Sequence, residues 1–85
     1  MKILHIIRHM GDSRALDTAR AHQRQGHQVT LLLMQDAVLS RVRFAGEVVV
    51  CQEDVSARTG RTRLKTVDYD GIVRMVFEHD SVISW

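Results

Sequence analysis

The chain of 85 residues has no proline, one cysteine and no long apolar run. A single cysteine excludes an internal disulfide framework and favours a reducing compartment, in which a thiol persists. The longest apolar runs, at residues 3–7 and 29–34, fall far short of the roughly 20 residues that cross a bilayer. The first run is also too short for the core of a signal peptide. We therefore expect a cytoplasmic protein with no membrane partner.

The chain also carries little excess charge, because the net charge is only +2 and acidic and basic residues are interspersed. This balance does not favour nucleic-acid binding, so direct contact with RNA is not expected. Hydrophobic residues make up 45% of the chain, which predicts a folded protein. Residues 1–85 form one domain, near the size at which a hydrophobic core only just outweighs chain entropy. Extra burial against a second copy or a partner subunit is therefore expected.

Apolar runs alternate with helical patterns along the whole chain. Strands are predicted at 3–7, 28–34, 47–50 and 66–67, with a short terminal strand or tail at 81–85. Helices are predicted at 14–25, at 36–42 with Asp36 as the cap, at 54–58 and at 71–79. Asp12 or Ser13 is expected to cap the start of the first helix, and Gly26 its end. This order predicts an α/β fold, namely a three-layer α/β/α domain with a mostly parallel sheet of four to five strands.

Cys51 follows the apolar run 48–50, at the carboxyl end of a predicted parallel strand. Open α/β sheets build their binding crevices at this edge, so Cys51 is the candidate catalytic residue, a sulfur acceptor. A sulfur carrier needs a thiolate, which a helix N-terminus stabilises and which the neighbouring Glu53 and Asp54 destabilise. Arg58 is a candidate thiolate stabiliser if its side chain folds back. The alternative is that Cys51 is a small buried hydrophobe at a strand end.

Other residue patterns give weaker signals. The five histidines lack any metal-binding spacing, and the loop 11–13 lacks a nucleotide-binding motif, so no metal or cofactor is expected. Arg58, Arg61, Arg63 and Lys65 form a basic cluster that either contacts an anionic partner or lies in solvent. Trp85 either folds over the terminal strand or lies in a subunit interface, and the small core favours the interface.

Four segments carry a resemblance to a known family. Residues 33–38 (LMQDAV), 53–58 (EDVSAR) and 67–73 (VDYDGIV), with Glu78-His79 and the end 82–85 (VISW), resemble the signature segments of the DsrH/TusB family. This resemblance implies a DsrEFH-like fold and a subunit of an intracellular sulfur-relay system. It also implies DsrE/TusD-like and DsrF/TusC-like partner subunits, or a homo-oligomer, and an upstream sulfur-donor protein.

The family passes persulfide sulfur toward thiolation of the transfer-RNA wobble uridine or serves sulfur oxidation. DsrH proteins that have a cysteine place it around the first helix, but no cysteine lies at 12–25 in this chain. Cys51 is instead similar in position to the sulfur-accepting cysteine of DsrE and TusD subunits. The chain is thus at most a sulfur-carrier component. The alternative is a non-catalytic structural subunit that completes the oligomer. A receiver or small nucleotide-binding domain also fits the element order, but the acidic pair after the first strand is missing.

Overall fold

Five strands alternate with three α-helices and a short 3-10 helix in a computed structural model that describes residues 1–85. The 3-10 helix is Gln35–Leu39, and the other elements are β1 (Lys2–Ile7), α1 (Ser13–Arg24), β2 (Gln28–Leu33), β3 (Glu47–Cys51), α2 (Gln52–Arg58), β4 (Lys65–Val67), α3 (Tyr69–Glu78) and β5 (Ser81–Ser84). All neighbouring strands pair in parallel, in the order β4-β3-β2-β1-β5. The predicted α/β fold with a parallel sheet is therefore confirmed, with five strands.

The two faces of the sheet are covered unequally. On one face, α1, the 3-10 helix and α2 contribute to a cluster of 11 buried residues that includes Ala15, Ala19, Ala37 and Val55. On the other face only α3 covers the sheet, over a cluster of three buried residues, Leu4, Leu32 and Val49. The chain crosses from β1 to β4 in one direction and returns through α3 to β5 at the opposite edge. Because such crossovers are right-handed, the return helix must lie on the opposite face.

Caps set the ends of the helices. Asp12 caps α1 through a hydrogen bond from the Ala15 amide, as predicted. Gly26 follows its last turn at φ +92°, and its amide bonds to the Gln23 carbonyl, which is the geometry that glycine favours at a helix end. Asp68 caps α3 by accepting from the Gly71 amide at 2.8 Å, so this helix begins at Tyr69, two residues before the predicted start.

One predicted cap is wrong. Asp36 lies inside the 3-10 helix, and no side chain caps this helix. The helix also ends at Leu39, not at Val42, because the chain becomes extended at Ser40. The Asp36 carboxylate instead accepts a hydrogen bond from Arg58, whose guanidinium is a stronger donor than a backbone amide.

Candidate functional site at the carboxyl edge of the sheet

The carboxyl ends of β3 and β4 form a topological switch point. Cys51, the last residue of β3, pairs with Val67, the last residue of β4. After Cys51 the chain enters α2, whose Val55 packs on the α1 face, whereas after Val67 it enters α3, whose Ile72 and Met75 pack on the opposite face. Adjacent strands whose connections diverge in this way open a crevice between them. Cys51 therefore lies at the position where an open α/β sheet builds a binding site.

The thiol of Cys51 is held in its protonated form. Its side chain is fully buried, and its S–H donates to Glu53 Oε2 at 3.5 Å. Burial is the main cause that raises the pKa of Cys51 to about 11, and the Asp54 and Glu53 carboxylates raise it further. A hydrogen bond from the Asp54 backbone lowers the pKa, but by less than burial raises it. The N-terminus of α2 therefore lowers the pKa of Cys51, as expected, but not enough to produce a thiolate at neutral pH.

The structure does not bring Arg58 to the thiol. Its Nε donates to Asp36 Oδ1 at 2.9 Å and its Nη1 to Asp54 Oδ1 at 3.3 Å. The other Asp54 oxygen accepts from the Gln35 amide at 2.7 Å, where the backbone is at φ +51°. Arg58 therefore clamps α2 to the 3-10 helix, and its positive charge is shared between two carboxylates.

Tyr69 lies near the switch point, and the sequence gives little signal for it. It is the first residue of α3 and follows Val67, the partner of Cys51 in the sheet, by two residues. The pKa of Tyr69 is raised first by the Cys51 thiolate that forms at high pH, then by partial burial and by the carboxylates of Asp54 and Glu53. The two carboxylates make this edge of the sheet acidic, which disfavours a negative charge on the sulfur or on the phenol.

Trp85 is bound within its own chain. Its amide donates to the Ile6 carbonyl at 2.9 Å, its carbonyl accepts from Arg8 Nε at 2.8 Å, and its indole Nε1 donates to His5 Nδ1 at 3.0 Å. The side chain packs half-buried on the α1 face. This corresponds to the first of the two predicted environments, folded over the terminal strand. The interface role of Trp85 stays a prediction for an assembly of chains.

The Trp85 contact fixes the protonation of a buried histidine. An indole nitrogen only donates, so His5 Nδ1 must accept and the ring proton must lie on Nε2. His5 Nε2 lies 3.0 Å from His22 Nδ1, which therefore accepts this proton. The two imidazole centroids are 5.1 Å apart, and that of His5 is 6.1 Å from the ring of Trp85. The three rings form a hydrogen-bonded row that ties β1, α1 and the chain end together.

Comparison with protein-family models gives no match, and comparison with curated protein sequences gives none either. The resemblance to the DsrH/TusB family therefore rests on the sequence segments alone. No helix is long and apolar enough to span a membrane. No group of three or more His, Cys, Asp or Glu side chains is placed to hold a metal ion.

Proposed function

We propose that this protein is a subunit of a DsrEFH-type sulfur-relay assembly, in which it supplies binding surface while partner subunits carry the sulfur. The resemblance of four segments to the DsrH/TusB family supports the pathway, whether for wobble-uridine thiolation or for sulfur oxidation. The five-stranded parallel sheet is compatible with a DsrEFH-like fold. The buried, protonated thiol of Cys51 favours a binding role over a carrier role.

The observation that carries this proposal is an exposed apolar surface on and beside α3. This α3 patch consists of Tyr69, Val73, Val76, Phe77 and Val82. Phe77 is 84% exposed and Val73 54% exposed, although α3 buries Ile72 and Met75 against the sheet. α3 has no fully buried residue. A cluster of this kind marks a protein interface more often than a surface that stays in water.

The size of the core supports the same conclusion. Only 17 of 85 residues are buried, and three of the buried hydrophobic residues form the cluster beneath α3. Docking a partner on the α3 patch would add burial to the face that has least of it. Aromatic side chains such as Phe77 and Tyr69 are the type that contributes most at the centre of interfaces. We propose that the occupants are DsrE/TusD-like and DsrF/TusC-like subunits.

The sequence-based expectation that Cys51 accepts sulfur is the second candidate function. Its support is the position of Cys51 at the switch point between β3 and β4. For this function the Cys51 side chain would have to become exposed and the thiol to lose its proton.

A charge on the α3 patch should prevent assembly. We expect Phe77→Asp to release the chain from DsrE/TusD-like and DsrF/TusC-like subunits, because a carboxylate would be buried without a partner. The matched control is Met10→Asp, which places the same charge on an exposed methionine in the loop after β1. Co-expression of the three subunits, followed by sedimentation velocity of the purified complex, measures the effect.

The outcomes distinguish the occupants. Loss of the complex in Phe77→Asp with retention in Met10→Asp supports the proposal. A complex that survives Phe77→Asp, or that is lost equally in Met10→Asp, contradicts it. If the chain alone forms an oligomer that Phe77→Asp dissociates, the occupant of the α3 patch is a second copy and not an unlike subunit.

A further inference from the structure

A second feature lies on the opposite face of the sheet from the α3 patch. A groove of about 660 Å³ opens between the segment 38–42 and the segment 59–64. Three arginines, Arg41, Arg61 and Arg63, line it together with three hydroxyl side chains, Ser40, Thr59 and Thr62. We name it the arginine groove. The remaining lining residues are aliphatic, and Val38 among them belongs to the buried core.

The three arginines of the groove have no partner within the chain. The ion pairs of the molecule join Asp17 to Arg20, Asp36 and Asp54 to Arg58, and Glu47 to Lys65. None of the 16 side-chain hydrogen bonds involves a guanidinium of the groove. No carboxylate lines the groove. Three exposed arginines therefore line one groove without an internal counter-charge, although carboxylates elsewhere pair with Arg20 and Arg58.

From this arrangement we infer that the arginine groove binds a small anion that carries two or more adjacent phosphate groups. Guanidinium groups bind phosphate oxygens through paired N–H donors, and hydroxyl groups add further donors. The Thr62 hydroxyl oxygen already accepts from the Leu64 amide at 3.1 Å, so its proton is left to donate to a ligand.

Two features favour a small ligand over a nucleic-acid strand. The volume lies within the roughly 300–1,000 Å³ of small-molecule sites. No aromatic side chain lines the groove, whereas proteins that bind single strands stack bases on aromatic rings. The arginine groove is separate from the switch point at Cys51. The inference of anion binding does not depend on the proposed sulfur-relay function.

Calorimetric titration with tripolyphosphate tests the inference. We expect the wild-type chain to bind it, and Arg61→Gln or Arg63→Gln to weaken binding about tenfold or more, the effect of losing a charge-assisted hydrogen bond. Arg74→Gln is the matched control, because Arg74 is an exposed arginine on α3, on the other face of the sheet. It should change the affinity less than about twofold, as a distant exposed charge does in moderate salt. Amide chemical shifts should change in the segments 38–42 and 59–64.

Three results would overturn the inference. The first is the absence of measurable tripolyphosphate binding by the wild-type chain. The second is an equal loss of affinity in Arg74→Gln and Arg61→Gln, which would indicate general attraction by positive charge. The third is tighter binding of a single-stranded RNA oligonucleotide than of tripolyphosphate through the same three arginines, which would assign the groove to a nucleic acid. Failure of the α3-patch experiment would not count against anion binding in the arginine groove.

Discussion

Lowering the pH from 7.5 to 4.5 is expected to reduce the free energy of unfolding by roughly 2–3 kcal/mol through His5 alone. His5 is fully buried, and burial, followed by electrostatic interaction with the neighbouring His22, lowers its pKa to about 4 from the ordinary 6.5. Between these two values the unfolded chain binds a proton that the folded chain does not. The contribution of His5 is therefore fully present above pH 6.5, and it is lost as the pH falls toward 4.

Urea unfolding at several pH values measures this effect, with the fluorescence of Trp85 as a reporter that contacts His5 directly. His5→Gln keeps an acceptor and a donor in place but does not titrate, so most of the pH-dependent difference should disappear. His9→Gln, at an exposed histidine in the loop after β1, should keep the wild-type pH dependence. An unchanged pH dependence in His5→Gln would show that His5 is not the buried group that resists protonation.

Cys51 is expected to react with iodoacetamide at pH 8 on the order of 100-fold more slowly than a cysteine in an unstructured peptide. A pKa of about 11 leaves far less thiolate at this pH than the free value of about 8.5. The rate should keep rising with pH until about pH 11, as long as the chain stays folded. Mass spectrometry of the alkylated protein against time gives the rate.

A carboxylate variant separates the electrostatic cause from burial. Glu53→Gln removes the negative charge that contacts the sulfur, so the pH at which the rate rises should move down. Glu47→Gln removes an exposed carboxylate at the start of β3, the far end of the strand from Cys51, and should leave the profile unchanged. Alkylation of the folded wild-type chain at the peptide rate would contradict the buried, protonated thiol.

The element order could be predicted because apolar runs and turn residues are local signals. The strand 28–33 is continuous and apolar, and the first helix lies between Asp12 and Gly26, so its ends follow from capping. The sequence of residues 81–85 fits a strand and a tail equally, because Ser81–Ser84 pairs with β1, nearly the whole chain away in sequence. Only the sheet order decides between these two states.

The site was only partly predictable for the same reason. Cys51 follows from its place after a strand, but the partners of Arg58 come from the 3-10 helix and from α2. The sequence suggests that Arg58 reaches Cys51 because the two residues lie at opposite ends of α2, whereas Asp36 is close to Arg58 only in space. His5 interacts with Trp85, 80 residues away, which no local periodicity indicates. Contacts between distant segments therefore account for most of what the sequence does not reveal.

Sulfur loading of Cys51 tests the proposed binding role of this protein most directly. The folded wild-type chain is incubated with a cysteine desulfurase and cysteine, and intact-mass spectrometry follows its mass beside that of Cys51→Ser. Because the thiol is buried and protonated, we expect no added sulfur on either protein, while a DsrE/TusD-like subunit in the same reaction gains it. An added sulfur mass on the wild-type chain that is absent from Cys51→Ser would contradict the binding role and make Cys51 the acceptor.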